Sequence, residues 1–191
     1  MFDKYNLPLT VELTDGTVLK IRNKCDYRVV LDCIGALNDN DLTDEEKSKC
    51  ALIIFYENYQ DITDPQEAID DLSKIISYDD ETPQENNKPV LMDWEHDFKQ
   101  IVPPINRILG YDVRTPDRYC HWHTFISAYY EIGECTFATV VSIRSKKAKG
   151  VKLDKWEEEF CREHPEMINL PTKFTKEEEE FFSLFEQKGE I

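Results

Sequence analysis

The sequence predicts a mainly α-helical fold of about eight helices, preceded by a small N-terminal β-hairpin. Apolar residues recur at the three-and-four spacing of amphipathic helices along most of the chain. Helix-capping residues and prolines stand where these helices would begin. Alternation of β-branched with polar residues is clear in one segment alone, near the N-terminus. With 191 residues, of which 40% are hydrophobic and 12% aromatic, the chain is long enough to bury a core.

The predicted hairpin covers residues 9–22, where two runs rich in β-branched residues flank Asp15-Gly16. An Asp-Gly pair favours a tight primed turn, because both central residues of that turn take positive φ angles. A lone hairpin is only marginally stable in water. We therefore expect it to pack against the helices.

Three helices are predicted in the first part of the chain, residues 1–78. Each begins at a residue whose side chain can accept hydrogen bonds from first-turn amides. These starting signals are, in order, Asp26, Thr43 with Glu46, and Asp64 followed by Pro65. The first helix is expected to run to about Leu37. The second is apolar nearly all round toward its C-terminal end, up to Tyr59, which predicts that it is the central helix of the core.

Residues 79–89 carry no apolar side chain other than proline and predict a flexible acidic linker or loop. Residues 90–170 are then expected to form a helical C-terminal part, and residues 171–191 to end the chain with an aromatic helix. The helices within the C-terminal part are predicted to begin at Asp93, Thr115, Thr136 and Leu153. Two of them are expected to stop near Gly110 and Gly150.

Two adjacent prolines, Pro103 and Pro104, fall inside the segment that begins at Asp93. Proline lacks the amide hydrogen used by the helical ladder, and it disfavours helix at the residue before it. We therefore expect the prolines to end or kink this helix, with a short helical piece resuming up to Leu109.

Acidic residues dominate the charge, with 39 Asp and Glu against 23 Lys and Arg and a formal net charge of −16. Such a chain repels a phosphate backbone, which argues against nucleic-acid binding. The longest apolar run, residues 51–56, is far shorter than the roughly 20 residues of a membrane span. The N-terminus lacks the pattern of a secretory signal. We expect a soluble, unexported protein that contacts neither nucleic acid nor membrane, and whose six cysteines are reduced thiols.

One basic cluster stands out in this acidic chain, with Arg144, Lys146, Lys147 and Lys149 at its centre. Cations are stabilising in the last turn of a helix, and this helix is predicted to end at Gly150. The same cations are also suited to dock an acidic partner, or the acidic surface of a second copy. The sequence leaves both interpretations open.

The terminal helix presents the other candidate surface, formed by Phe181, Phe182 and Phe185. Phe174 can share a helical side with Phe181 and Phe185, which gives a broad apolar face. Docking of this face onto the rest of the domain is the simpler interpretation. An aromatic helix of this kind can also enter the groove of a partner or hold an unfolded client.

Two Cys-x-x-His elements, Cys120 with His123 and Cys161 with His164, supply the ligand types and number of a tetrahedral zinc site. They lie about forty residues apart, and the first falls on an aromatic stripe, so ordinary packing is favoured. Cys120 alone stands where a helix start would lower a thiol pKa. The chain has no phosphate-binding loop, nucleophile elbow or metalloprotease motif. We therefore predict no catalytic residue, no cofactor and no metal.

Several motifs in order along the chain resemble the bacteriophage gene-product-fifteen family. They comprise Asp26-Tyr27-Arg28-Val29 after the hairpin, residues 91–98, residues 105–111, residues 121–129, Gly133-Glu134-Cys135-Thr136-Phe137, residues 141–150 and Leu153-Asp154-Lys155-Trp156. The resemblance covers nearly the whole chain. It departs at Trp122-His123, where the family commonly shows two tryptophans, so the family pattern does not supply the histidine of the zinc hypothesis.

The resemblance implies a role similar to that of siphophage tail-assembly chaperones, which coat the tape measure protein while the tail tube forms around it. The implied partners are the tape measure protein, other tail proteins and further copies of this chain. The implied location is the host bacterial cytoplasm. Two alternatives are a structural minor tail protein of the virion and, less favoured, a zinc-stabilised or enzymatic protein.

Overall fold

The computed structural model of this chain describes residues 5–78 and 89–171. Within these ranges the protein is mainly helical with a small two-stranded N-terminal sheet, which confirms the predicted fold class. Nearly all of the predicted linker and the whole terminal aromatic helix, with Phe181, Phe182 and Phe185, lie outside the described residues. The domain boundaries proposed at residues 78, 89 and 170 stay predictions.

The described elements follow one another in a simple order. The strands are β1 (Thr10–Glu12) and β2 (Val18–Lys20), and the helices are α1 (Tyr27–Leu37), α2 (Asp44–Phe55), α3 (Pro65–Ile76), α4 (Trp94–Leu109), α5 (Trp122–Tyr130), α6 (Thr136–Ala148), α7 (Lys155–Glu163) and α8 (Pro165–Ile168). Short 3-10 turns at Arg22–Lys24 and Tyr59–Asp61 complete them.

The hairpin forms as predicted but closes through a different turn. Val11 pairs with Leu19 at its centre, and both side chains are buried. The Gly16 amide donates to the Leu13 carbonyl, and Gly16 has a φ of +87° while Asp15 does not have a positive φ. This is a three-residue loop with glycine in the left-handed region rather than a two-residue primed turn.

The first three helices begin at the predicted caps. Asp26 accepts from the Arg28 amide, Thr43 and Glu46 form a complete capping box, and Asp64 accepts from two first-turn amides. The predicted end of α2 was wrong. The helix ends at Phe55, because Tyr56 is extended and pairs with Ile21 of the hairpin.

Arg22 covers the exposed carbonyls at this end of α2. Its guanidinium donates to the carbonyl oxygens of Ile53, Ile54 and Tyr56 at 2.8–3.1 Å. Helix α2 packs against both α1 and α3, and α1 packs against both α2 and α5.

Helix α4 continues through Pro103 and Pro104, so the prolines do not end it. Neighbouring side chains explain this, because Ile101, Val102 and Ile105 are fully buried and Pro104 is buried with them. Burying each large aliphatic side chain contributes about 1.5–3 kcal/mol. Together these contributions offset a proline cost of about 3 kcal/mol each. The helix ends at Gly110, whose φ is +76°, as predicted.

Helix α5 begins at Trp122 rather than at Thr115, so Tyr119 is not part of its aromatic stripe. The segment before it is held in an irregular path by α1. Arg28 donates to the carbonyls of Val113, Thr115 and Arg118, and the Tyr27 hydroxyl also donates to Val113. Long-range hydrogen bonds therefore override the local Thr-Pro helix signal.

Helices α6 and α7 form where predicted, but their first residues differ from the prediction. Helix α6 is capped by the Cys135 sulfur rather than by Thr136, which is its first residue. Helix α7 begins one residue after Asp154, which forms a capping box with Glu157. Pro165 closes α7, as predicted, and also begins α8.

One core cluster contains side chains from the hairpin, α1 to α5 and the start of α6. The rings of Tyr27 and Phe125 stack at its centre with a centroid separation of 4.4 Å. A second, smaller cluster joins Val140 and Ile143 of α6 to Ile168 of α8. No helix among the described residues has the length and apolar character needed to cross a membrane.

His121 ties α5 to the N-terminal part through a neutral imidazole. Its Nδ1 accepts from the His123 amide and caps α5, and its Nε2 lies 3.1 Å from the Pro8 carbonyl oxygen. A carbonyl only accepts, so Nε2 carries the hydrogen and Nδ1 carries none. Burial lowers the pKa of His121 below its ordinary value of 6.5.

This lowered pKa predicts a loss of stability in acid. The unfolded imidazole takes up a proton as the pH falls through 6.5, whereas the folded one resists protonation. The stabilising contribution is therefore present above pH 6.5 and declines toward the lowered pKa of the folded state. We expect the unfolding free energy, measured by urea denaturation, to fall more between pH 7.5 and pH 5 in the wild type than in His121→Asn. Asparagine keeps a capping oxygen but does not titrate. Parallel pH profiles for the two proteins would contradict this role.

Candidate functional site

A groove of about 920 Å³ lies between α1 and the start of α4. Its remaining wall is the chain just after α8. Its apolar lining consists of Leu31, Ile34, Ala36, Val90, Met92, Trp94, Phe98, Leu170 and Pro171. We call these residues, with Gly35, the α1–α4 groove.

The floor of the α1–α4 groove is the outer face of α1. Leu31 and Ile34 are half-buried there and pack against the core from one side. Gly35, which follows Ile34, is exposed. A Cβ atom built on Gly35 would meet no other atom within 4 Å. A glycine inside a helix costs about 0.5–1 kcal/mol relative to alanine. Neither its φ nor its surroundings require glycine here, so the folded domain gains nothing visible from it.

The opposite wall is built from the segment that leads into α4. Val90 is 76% exposed, which is a high fraction for an aliphatic side chain. Trp94 is half-buried and joins this wall to the core, because its ring lies 5.0 Å from Tyr129 and 5.9 Å from Trp122 between centroids. This wall therefore exposes an apolar side chain, Val90, to the groove, and contacts between Trp94 and the core hold it in place.

Three carboxylates, Asp32, Asp93 and Glu95, surround this apolar surface. Asp93 is held in place because it caps α4, accepting from the amides of Glu95 and His96. Partial burial raises the pKa of the Asp32 carboxyl. No cation lines the groove among the residues described, so its edge is acidic.

Arg144 of α6 holds the walls of the groove together from behind. It is buried, and it forms a bidentate ion pair with Asp97 of α4, which is fully buried. The guanidinium also donates to the carbonyl of Leu91, in the wall before α4, and to those of Met167 and Ile168. Five N–H groups thus meet five acceptors, which is the full donor capacity of arginine.

A second contact supports the same junction. His96 Nε2 lies 2.9 Å from the Glu166 carbonyl oxygen, which joins the first turn of α4 to α8. The Asp97 carboxylate additionally accepts from the Asp93 amide. The position of the Leu170–Pro171 wall relative to the Val90–Met92 wall therefore depends on Arg144 and His96.

The four cations predicted to dock a partner have different environments in the structure. Arg144 is internal, so it is not available on the surface, and its role is to join α4, α6 and α8. Lys146 forms an ion pair with Glu157 of α7. Lys147 and Lys149 are exposed, with Lys147 Nζ 3.4 Å from Asn169 Oδ1. Docking by Lys147 and Lys149 stays a prediction, as does docking by the three phenylalanines outside the described residues.

Several cysteines and histidines lie in buried, hydrogen-bonded positions. Burial raises the pKa values of Cys25 and Cys33 to about 12 and also raises that of Cys120, so the prediction that a helix start lowers the Cys120 pKa was wrong. His123 Nε2 lies 3.2 Å from the Ile75 carbonyl oxygen. Among the residues that the structure describes, no three His, Cys, Asp or Glu side chains are placed to hold a metal ion.

Sequence reasoning missed the α1–α4 groove, because its walls come from three separate segments. Two local signals were present. Gly35 interrupts an otherwise good helix sequence, and an isolated helical glycine often has a packing or functional reason. Val90 and Met92 place apolar side chains directly after a polar stretch. The pairing of Arg144 with Asp97, 47 residues away, has no local signal.

Comparison with known protein families shows that residues 4–170 match the family model described as "Bacteriophage Gp15 protein". No curated protein and no solved structure matches the chain.

The buried ion pair predicts a large loss of stability on removal of Arg144. Arg144→Met leaves the Asp97 carboxylate buried without a partner, which costs about 3–5 kcal/mol of unfolding free energy. The double variant Asp97→Leu/Arg144→Met is expected to be more stable than Arg144→Met alone, because no unpaired charge remains. Chemical denaturation of both proteins measures this. The control Lys147→Met alters an exposed cation of the same helix and should change stability by less than about 0.5 kcal/mol. Equal effects of Arg144→Met and Lys147→Met would contradict the assignment.

Proposed function

The chain belongs to the bacteriophage Gp15 protein family, and on that premise we propose that it is a tail-assembly chaperone that binds the tape measure protein during tail morphogenesis. Family membership makes it a phage virion or assembly protein with protein partners. The finer role is our proposal, as is its action in the host cytoplasm. The observation that carries the proposal is the open apolar α1–α4 groove.

The shape and lining of the groove fit the binding of a helical client. An amphipathic helix binds by laying its apolar face into an apolar groove, with anchor side chains three or four residues apart. Gly35 removes a side chain from the floor, which allows the backbone of such a helix to approach closely. The half-buried Leu31, Ile34 and Trp94 provide anchoring contacts on both sides of it.

The charge of the groove indicates the chemistry of the client. Asp32, Asp93 and Glu95 form an acidic edge on a chain whose net charge is −16. Charge complementarity increases association rates and selects partners. The client segment is therefore expected to be an amphipathic helix with Lys or Arg beside its apolar face. The transient covering of such a segment is what an assembly chaperone requires.

The exposed cations Lys147 and Lys149 form a second proposed contact surface. They lie at the end of α6, whereas the groove is formed by α1 and the start of α4. Their charge suits an acidic surface, which another copy of this chain would supply. Self-association through these lysines therefore leaves the groove free for a client.

The competing function is a structural minor tail protein of the virion. It also requires protein contacts, so the groove alone does not distinguish the two. A chaperone is released when the tail is complete, whereas a structural protein stays. Mass spectrometry of purified virions should find this chain absent or far below the stoichiometry of tail proteins; stoichiometric presence would favour the structural role.

A single exposed substitution tests whether the groove binds the client. Val90→Asp removes an apolar side chain and adds a fourth carboxylate to the edge. Because Val90 is 76% exposed, we expect the fold to tolerate the change. On co-expression with the tape measure protein, co-purified client should fall by about fivefold or more, which corresponds to about 1 kcal/mol.

The matched control is Leu7→Asp, which also places a carboxylate at an exposed apolar position, 47% exposed and outside the groove. It should leave the yield of the complex close to that of the wild type. Equal losses in both variants, or no loss in either, would count against the groove as the client site.

A further inference from the structure

We propose that the terminal segment of this same chain, residues 172–191, occupies the α1–α4 groove through Phe181, Phe182 and Phe185 when no client is bound. The groove is then a two-state site, covered by the chain itself and opened to a client. The displacement of the segment by a client rests on the proposed chaperone function, whereas occupation of the groove by the segment does not.

The described chain ends at the groove, because Leu170 and Pro171 are themselves part of its lining. Twenty residues follow Pro171. Any occupant contributed by this segment needs no intervening linker, which gives it a high effective concentration at the site.

The segment is long enough to span the groove. Phe181 follows Pro171 by ten residues, and even as compact a form as a helix extends about 15 Å over ten residues. The stretch of α1 that lines the groove, from Leu31 to Asn38, extends about 10 Å. Ten residues are therefore enough to cover the length of this stretch from Pro171.

The side chains of the segment match the lining of the groove chemically. The segment carries three phenylalanines within five residues, and the groove volume of about 920 Å³ can accept several such side chains. Without an occupant, half-buried apolar side chains and the exposed Val90 would form a contiguous apolar surface. Such surfaces on single chains favour aggregation or mark binding sites. A segment that covers the groove would shield this apolar surface from water and so reduce aggregation.

Charge repulsion limits the strength of this contact. The residues directly before Phe181 are four glutamates, Glu177–Glu180, and they carry the same charge as Asp32, Asp93 and Glu95. Like charges weaken the closed state. A client helix with basic flanks is free of this repulsion. The segment is therefore suited to cover the groove and to be displaced from it.

Site-specific photo-cross-linking in the full-length protein tests the proposal. A photoreactive phenylalanine analogue in place of Phe182 should form cross-links to residues 31–38 or 90–98. The same analogue in place of Gln187, which is outside the aromatic face, should give at least several-fold fewer of them. Mixing isotopically light and heavy protein before illumination identifies which chain is joined. Cross-links within one chain support the proposal; cross-links mainly between chains, or to other parts of the domain, overturn it.

Blocking the groove provides a second variant. Gly35→Gln adds a side chain where a Cβ meets open space, so the domain should fold. It should reduce the Phe182 cross-links several-fold, whereas Gly133→Gln, at another glycine with open space around it, should not. Equal cross-linking in the two glutamine variants would overturn the proposal.

Adding the tape measure protein separates this inference from the proposed function. A client that displaces the segment lowers the cross-link yield. If the cross-links form but the client leaves them unchanged, the segment occupies the groove and the groove is not the client site. If no cross-links form while Val90→Asp still lowers client binding as predicted, the proposed function holds and this inference fails.

Discussion

The Arg144 guanidinium is the constraint on which the candidate site depends. It joins three segments that are distant in sequence: the residues before and within α4, helix α6, and the turn at α8. Its partner Asp97 is fully buried, so removal of either residue leaves an unpaired buried charge that strongly destabilises the fold. The small apolar cluster around Val140, Ile143 and Ile168 offers limited packing at this junction. Directional hydrogen bonds to carbonyls therefore set the position of the wall at Leu170 and Pro171.

The same interaction explains why a basic stretch of sequence is not one basic surface. Arg144 follows the buried Ile143 and lies on the inner side of α6, while Lys147, three residues later, is exposed near its end. Lys146 is paired with Glu157, whose pKa is lowered chiefly by that contact. One run of cations thus divides into a buried arginine that joins three helices, a partly buried ion pair and two exposed charges. Charge composition alone does not separate these roles.

Much of the fold was predictable from local chemistry, since the caps Asp26, Thr43, Asp64 and Asp93 all begin helices where expected. The failures occurred where distant contacts outweigh local preference. Burial on both sides of Pro104 keeps α4 continuous, and the hydrogen bonds of Arg28 delay the start of α5. The candidate site was not predicted at all, because a groove made of three segments depends on tertiary pairing that spacing does not encode.

The central claim is that the α1–α4 groove is the surface that receives a client helix. Amide hydrogen exchange of the purified complex with the tape measure protein, compared with the protein alone, measures this directly. The account predicts that protection on client binding concentrates in residues 31–38 and 90–98, with little change in residues 146–152. Protection confined to other parts of the chain, with unchanged exchange along α1 and the start of α4, would contradict it.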